Sequence, residues 1–343
     1  MSRLSIVIVT HDHREAVREG LPALTAQLQD GDQLIVVDND SSDGTADEVR
    51  KLAPDALVIE AGANPGFAAG CNRGASTASG ELLCFLNPDT VAAPGFREAI
   101  ERPLADGRGW AAWQGLVTAE GGRVVNTRGG VVHFTGIAWA GGAGEPVPAD
   151  GGLESEPGFV SGACLAIRRG EFERLGGFAD EFFLYHEDVD LSLRLRLAGR
   201  RLGVEPAARV EHAYEFAKGA AKWRQLERNR WATLIRTYPA ALLVLLVPAL
   251  VATELALVPV SAAGGWLWQK LLAWGDTLGA TGRLLRERRR IQAGRTIGTA
   301  EFARAFTADL ASPYLGSAGR SHALRWALRA YWSVVLRLLG SAD

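Results

Sequence analysis

The sequence predicts an α/β fold built on a sheet with helices on both faces. Short runs made wholly of Val, Ile, Leu and similar residues recur between Leu4 and Leu86, and stretches with helical spacing separate them. Each run ends in a cluster of short polar residues. Strands that are apolar at every position are buried on both sides, the pattern of a parallel sheet covered by helices.

The elements follow in order. Residues 4–9 are a β-branched strand, and 14–28 set Val17, Leu21, Leu24 and Leu28 on one helical face. A strand at 34–37, a helix at 43–52 capped by Ser42 or Asp43, a strand at 57–59, a helix at 68–77 and a strand at 82–86 come next. In open α/β sheets ligands bind beyond the carboxyl ends of the strands. Those ends carry Thr10-His11-Asp12, Asp38-Asn39-Asp40, Asn64-Pro65-Gly66-Phe67 and Asn87-Pro88-Asp89, so polar groups gather on one rim. From 110 to 159 the chain is Gly-rich, with short β-like runs at 131–134 and 137–140. Residues 141–157 read as a mobile loop able to cover a substrate. A helix at 187–198, strands near 202–204 and 209–211 and a long helix at 217–238 complete a first domain, 1–238.

Beyond Pro239 the character changes. Residues 240–267 hold Glu254 as their only acid and are interrupted by Pro248 and Pro259. A bilayer crossing needs about 20 apolar residues, so the length suffices for one. The prolines and the central acid oppose a simple span. An arginine run follows (Arg283, Arg286, Arg288, Arg289, Arg290), then a tail with Leu324, Trp326, Leu328, Tyr331, Trp332, Leu336, Leu338 and Leu339. Arginine alternating with Trp and Leu at helical spacing suits helices lying in a membrane surface. Residues 239–343 are therefore expected to form a C-terminal α-helical, membrane-associating extension, peripheral in preference to spanning. An ordinary helical bundle is the alternative.

Composition bounds the rest. With 343 residues, 48% hydrophobic and 22% charged, the chain is a folded protein larger than one typical domain. A net charge of -2 gives no case for nucleic acid. Cys71, Cys84 and Cys164 lack metal or CxxC spacing and read as reduced structural thiols. The chain enters a strand at once, so no secretory signal is expected.

Four segments carry candidate chemistry. Asp38, ending a buried strand, is placed to accept hydrogen bonds from a nucleotide's base and ribose; such Asp/Asn/Ser/Gly clusters also make turns and caps. The loop Asn64-Pro65-Gly66-Phe67 leads into a helix where backbone N–H groups can approach a phosphate or sugar, with Asn72 facing the nucleotide. Its glycine order is neither a Walker A loop nor the dinucleotide fingerprint. Asp89 follows the strand at 82–86 and, with His212, can supply both protein contacts to Mg²⁺ or Mn²⁺, phosphates and water filling the remainder. Taken singly, an Asp after Pro is a turn residue and a lone His a structural group. Glu187, Asp188 and Asp190 crowd three acids into four positions; they cap a helix or serve a metal-assisted transferase site.

In this order the segments resemble the family-two glycosyltransferases, which have the GT-A fold, and within them the bacterial rhamnosyltransferase-like subgroup. The resemblance covers roughly residues 3–238. It rests on Ser5–Thr10, Val37-Asp38-Asn39, Asn64-Pro65-Gly66-Phe67 with Asn72-Arg73-Gly74, Phe85-Leu86-Asn87-Pro88-Asp89, Ser161-Gly162-Ala163, Gly176-Gly177-Phe178, Asp180-Glu181-Phe182-Phe183, Glu187-Asp188-Val189-Asp190-Leu191 and Glu227-Arg228-Asn229-Arg230. It implies a GT-A type Rossmann-like nucleotide-binding sheet. Thr10, Asp12 and Asp38 would hold the base and ribose of a nucleoside diphosphate sugar, and Asn64, Gly66 and Asn72 would line the same pocket. Asp89 stands where the family's metal-binding Asp-x-Asp ends, and Asn87 replaces its first Asp. Asp188 matches the general base, with Glu187 its neighbour. His212 matches a histidine that approaches the metal or diphosphate. The Ser often found just beyond it is absent from Ala213-Tyr214-Glu215-Phe216-Ala217.

The implied reaction is inverting transfer of a sugar to a hydroxyl of a lipid-linked or cell-surface glycan, on the cytoplasmic face of a membrane. Asp188 takes the acceptor proton, and the metal stabilises the departing diphosphate. Glu187 and Asp190 would raise the pKa of Asp188 by repulsion, unless Asp190 pairs with Arg194. Two other readings stay open: a GT-A domain that has lost catalysis and acts as a sugar-nucleotide-binding scaffold, or a sugar nucleotidyltransferase. Intact Asp89, Asp188 and His212 oppose the first. Thr10-His11-Asp12-His13 lacks the Gly-rich basic loop the second would carry. The donor sugar and nucleotide are not legible in these residues.

Overall fold

Nine strands form one mixed sheet in a computed structural model that describes residues 4–148, 156–212, 219–311 and 321–340. The chain begins β1 (Leu4–Thr10), α1 (Arg14–Thr25), β2 (Gln33–Asp38), α2 (Thr45–Leu52), β3 (Leu57–Glu60), α3 (Phe67–Ala75) and β4 (Leu82–Leu86), the alternation read from the sequence. It continues with β5 (Thr90–Ala92), α4 (Phe96–Glu101), β6 (Trp110–Ala119), β7 (Val124–Thr127), β8 (Gly130–Val132), β9 (Ala138–Ala140), β10 (Cys164–Arg168), α5 (Arg169–Leu175), α6 (Glu187–Leu197) and β11 (Arg201–His212). Then come α7 (Ala221–Thr237), α8 (Ala240–Ala263), α9 (Leu267–Ala293), α10 (Thr299–Ala303) and α11 (His322–Gly340).

The sheet order is β3-β2-β1-β4-β10-β6-β11-β5, with β7 beside β6. Only the first four strands are all parallel: β10 is antiparallel to both β4 and β6, and β5 to β11. The expected parallel sheet is thus half of a mixed one, because an antiparallel neighbour needs no crossover helix to announce it. The long strand β6 reads as Gly-rich irregular chain, yet its Gly115 is required. A Cβ there would stand 2.4 Å from the Ala208 carbonyl of β11. The two strands expected near 202–204 and 209–211 are one strand with an irregularity between Glu205 and Arg209.

Alternation along the strands builds a core on each face. Ile6, Ile8, Leu34, Val36, Leu82 and Leu86 pack with Val17, Leu21 and Leu24 of α1 and Val49 of α2. On the other face Gly70 and Gly74 of α3 bring that helix against Val7, Val9 and Val37, and Phe85 meets Phe172 and Phe178 at ring separations of 5.2 and 5.1 Å. Each such aliphatic side chain contributes about 1.5–3 kcal/mol on full burial. Cys71, Cys84 and Cys164 are unpaired and buried.

Packing divides the described chain into two units: residues 4–130, 140–192 and 201–212, and residues 131–139, 193–200 and those from 219 onward. In the second, α8 runs unbroken through Pro248 and Pro259 and, by length and composition, suffices to cross a membrane. Leu242, Leu246 and Leu250 are buried, while Val244, Val247, Val251 and Leu255 are exposed. Its one acid is compensated. Glu254 pairs with Arg230 of α7, lies 2.8 Å from Lys270 Nζ of α9 and accepts from the Trp274 indole at 2.8 Å. Lys270 reaches Glu227 at 2.6 Å, and Arg230 also bonds Glu227 and the Thr135 carbonyl. The Glu227…Arg230 motif of α7 is therefore the ionic tie among three helices.

Lys270 is fully buried between two carboxylates, and removing one member of a buried ion network leaves charge uncompensated. Lys270→Met is expected to lower stability by about 3–5 kcal/mol in chemical denaturation. Adding Glu254→Gln to it should restore part of the loss.

Candidate active site

The rim where β1, β2 and β4 end is held by short polar side chains. Asp38 Oδ1 accepts from the Thr10 hydroxyl at 2.9 Å and from the Ser41 hydroxyl, and Oδ2 accepts the Ser41 N–H at 3.0 Å. A carboxylate offers about four lone-pair sites, so one stays open to a ligand. Thr10 itself is fully buried and spends its hydroxyl on Asp38. Its hydroxyl thereby orients Asp38, at the strand end where the resemblance implies a base and ribose. Asp12, in the left-handed region at φ 55°, accepts from the Ser42 N–H at 2.7 Å and the Ser42 hydroxyl at 3.2 Å. The Ser42 backbone hydrogen bond holds its carboxyl below the ordinary range. Asp12 thereby joins the loops after β1 and β2 while staying exposed. Helix α2 starts two residues later than expected, with Asp43 accepting the Thr45 N–H at 3.0 Å.

The loop into α3 is spoken for. Asn64 accepts the Gly66 N–H at 3.0 Å, and Asn39 donates to the Gly66 carbonyl at 3.0 Å. The first helical N–H groups, Phe67 and Ala68, both point to the Phe183 carbonyl, at 2.6 and 3.3 Å. They are not available to a phosphate, contrary to the sequence reading. Gly66 has φ 93°, and a Cβ on it would lie 2.5 Å from that same carbonyl; glycine is required for this approach. Asn72 is likewise engaged away from a nucleotide. Its amide donates to the Phe178 carbonyl at 2.9 Å and to Asp180 at 2.6 Å, and its oxygen accepts the Phe178 N–H. It ties α3 to the turn before α6.

At the mouth of β4, Asp89 and His212 meet directly: Nε2 to Oδ1 is 3.0 Å, with Asn87 Nδ2 3.4 Å from the same ring nitrogen. Register puts His212 there, since it pairs with Thr90 across β11 and β5. His212 is buried and Asp89 partly exposed. Burial works against ionisation of Asp89, but the hydrogen bond and charge of His212 hold its carboxyl below the ordinary value. Among the described residues no cluster of three or more acidic, His or Cys groups is arranged to hold a metal. The two-residue set nevertheless fits a hard cation that keeps water and phosphate ligands.

Asp188 begins α6. Its Oδ2 accepts the Gly162 N–H at 2.9 Å and its Oδ1 the Val189 N–H at 2.8 Å. The next residue of that turn, Ala163, accepts the Asn87 N–H at 3.2 Å. One tight turn thus links Asp188 to the strand end that carries Asn87 and Asp89, a role the sequence reading did not give Ser161-Gly162-Ala163. Burial pushes the Asp188 carboxyl up to about 6, against the backbone donors that lower it. Burial, then the charge of Asp188, pushes the Glu187 carboxyl well above the carboxylate range, and Glu187 Oε2 is buried without a hydrogen-bond partner. Repulsion therefore acts on Glu187, and Asp188 is raised by burial. Phe183, Tyr185 and His186 all have φ between 61° and 71°. This left-handed run costs about 1–3 kcal/mol per residue and clusters at sites whose surroundings over-determine it. Residues 213–217, where the expected Ser is missing, lie outside the described residues, as does part of the loop 141–157.

The family model described as glycosyl transferase family 2 matches residues 5–174. An N-acetylglucosaminyl-diphospho-decaprenol L-rhamnosyltransferase of Mycobacterium tuberculosis is 27% identical over 255 residues, covering 68% of this chain and 83% of that protein. Rhamnosyltransferase WbbL of Escherichia coli is 44% identical over 54 residues, 16% of this chain and 20% of its own. The crystal structure of GalNAc-T7 with UDP, GalNAc and Mn²⁺ superposes with a TM-score of 0.55 at 15% identity, over 69% of this chain and 48% of that one; the likeness is one of fold. Residues 5–174 carry a glycosyl transferase family 2 domain, and the protein is a glycosyltransferase with the GT-A fold.

A base must be ionised to accept a proton, so the kcat/KM of sugar transfer is expected to fall below an apparent pKa near 6. Glu187, whose carboxyl burial holds well above the ordinary carboxylate range, should leave that limb in place when changed to Gln. Its folded-state pKa is raised, so it costs nothing below the unfolded carboxylate pKa and its full penalty above the folded one. The Tm gain of Glu187→Gln should therefore grow as the pH rises above the unfolded carboxylate value of about 4. A limb that moves or vanishes in this variant would remove Asp188 as the titrating base.

Proposed function

We propose that this chain is an inverting, metal-dependent glycosyltransferase. It moves a rhamnose-like sugar from a nucleoside diphosphate to a hydroxyl of a lipid-linked or cell-surface glycan, working as a peripheral protein on the cytoplasmic face of a membrane. The observation that carries this reading is the single turn that holds Asp188 on its Gly162 N–H and Asn87 on its Ala163 carbonyl. The names of the rhamnosyltransferase relatives support the sugar and the lipid-linked acceptor. The exposed apolar face of α8 supports the membrane surface.

The roles follow from the geometry. Asp38, steadied by Thr10 and Ser41, offers its remaining lone pair to the nucleoside, with Asp12 and the Asn64–Gly66 loop framing the same end of the sheet. Asp89 and His212, which lie together, would hold a divalent cation, Mg²⁺ or Mn²⁺. When bound, that cation supplies charge neutralisation to the departing diphosphate. Asp188, fixed by two backbone donors, accepts the proton of the acceptor hydroxyl as it attacks the face of the sugar opposite the leaving group. Both carboxylate oxygens are pinned, so the base arrives oriented and needs little reorganisation.

Asp188→Asn should lower kcat by about 10²–10⁴-fold while the affinity for nucleoside diphosphate, read by calorimetry, stays within about twofold. Full activity in that variant would refute the assignment. Thermal stabilisation by nucleoside diphosphate should be larger with Mn²⁺ than without, and Asp89→Ala should abolish the difference. Equal stabilisation with and without the cation in the unmodified protein would defeat the metal assignment.

A further inference from the structure

A cavity of about 560 Å³ opens in the helical unit where the N-terminus of α8 (Pro239, Ala240) meets the end of α9, and Arg288, Arg289 and Arg295 line it. None of the three has a carboxylate partner among the described residues. Arg288 donates to the carbonyls of Ile235 at 2.7 Å and Tyr238 at 2.6 Å, at the C-terminal end of α7. Arg295 donates to the Thr299 hydroxyl at 2.9 Å. Four other arginines of this unit are matched by acids: Arg224 with Asp276, Arg230 with Glu227, Arg236 with Glu287, Arg329 with Asp309. The groove therefore concentrates unneutralised positive charge beside the positive end of a 24-residue helix dipole.

We infer that this groove binds the phosphate of a membrane-lipid headgroup. Guanidinium forks match phosphate oxygens, and a helix start presents unsatisfied N–H groups to the same anion. A lipid is favoured over a soluble phosphate by what adjoins the charge. Leu285 is an exposed apolar side chain in the groove wall, and Val244, Val247, Val251 and Leu255 continue down the uncovered face of α8. A hydrocarbon chain leaving the bound phosphate has apolar surface to follow. This deepens the membrane part of the proposed function and does not depend on the catalytic assignments.

The test uses the full chain and phosphatidylcholine vesicles brought to the same zeta potential with either phosphatidate or oleate. The groove predicts about tenfold tighter binding to the phosphatidate vesicles, a difference of about 1.4 kcal/mol. Arg289→Gln and Arg295→Gln, both at exposed positions, should erase that preference while binding to oleate vesicles falls by about fivefold or less, the share expected of one surface charge. Arg290→Gln, outside the groove, should keep the preference. Equal binding to both vesicles would overturn the groove while leaving membrane association standing; no binding to either would overturn both. Stabilisation by soluble glycerol phosphate through Arg289 and Arg295, without any vesicle preference, would reassign the groove to a soluble phosphate and sink the lipid inference.

Discussion

The candidate site depends on one turn of backbone. Gly162 donates its N–H to the Asp188 carboxylate, and Ala163 accepts the N–H of Asn87. The first contact lies at the start of a helix and the second at the end of a strand, so two elements far apart in sequence share one rigid link. Charge makes the link effective. A carboxylate that accepts two backbone N–H groups is drawn toward ionisation, while burial draws it back, and for Asp188 burial prevails. The outcome is a carboxyl raised to about 6.

The neighbouring carboxyl completes the arrangement. Two acids in adjacent positions cannot both carry charge cheaply at low dielectric. Glu187 is the more buried and takes the upward shift, which leaves the charge on Asp188. The left-handed run at Phe183, Tyr185 and His186 is the backbone counterpart of this segregation. It turns the Phe183 carbonyl onto the start of α3, so the loop before the base and the loop beside the nucleotide end of the sheet are one hydrogen-bonded piece. Glycine at position 66 is what allows the two to touch.

Legibility tracked the physics of each signal. Strands β1, β2 and β4 are apolar at nearly every position and were readable almost to the residue, as was α6 with its acidic start. The antiparallel half was not. β10 is reached by a turn, with no crossover helix to mark it, and β6 hides its pairing behind Gln114 and Gly115. In the site, His212 ends β11 and Asp89 lies in the short turn after β4, places where sequence marks a polar residue against an apolar run. Thr10, Asn64 and Asn72 bond their own framework; short polar side chains at strand and helix ends do so as readily as they bond a ligand, and sequence does not distinguish the two. Gly162 left no side-chain signal, since its contribution is a backbone N–H.

The helical unit repeats the lesson with charges. Read from composition, Glu254 argues against a membrane-crossing α8, because an isolated carboxylate in hydrocarbon is costly. In the fold the same carboxylate faces Arg230, Lys270 and Trp274 and is bound to α7 and α9. The acid therefore fixes which face of α8 is inward, and the valines at 244, 247 and 251 are left on the other. A helix pinned along one side by buried ion pairs, apolar along the opposite side and bordered at its start by unmatched arginines is suited to rest on a bilayer surface. Leaving that network to cross the membrane alone would strand Glu254 without its partners.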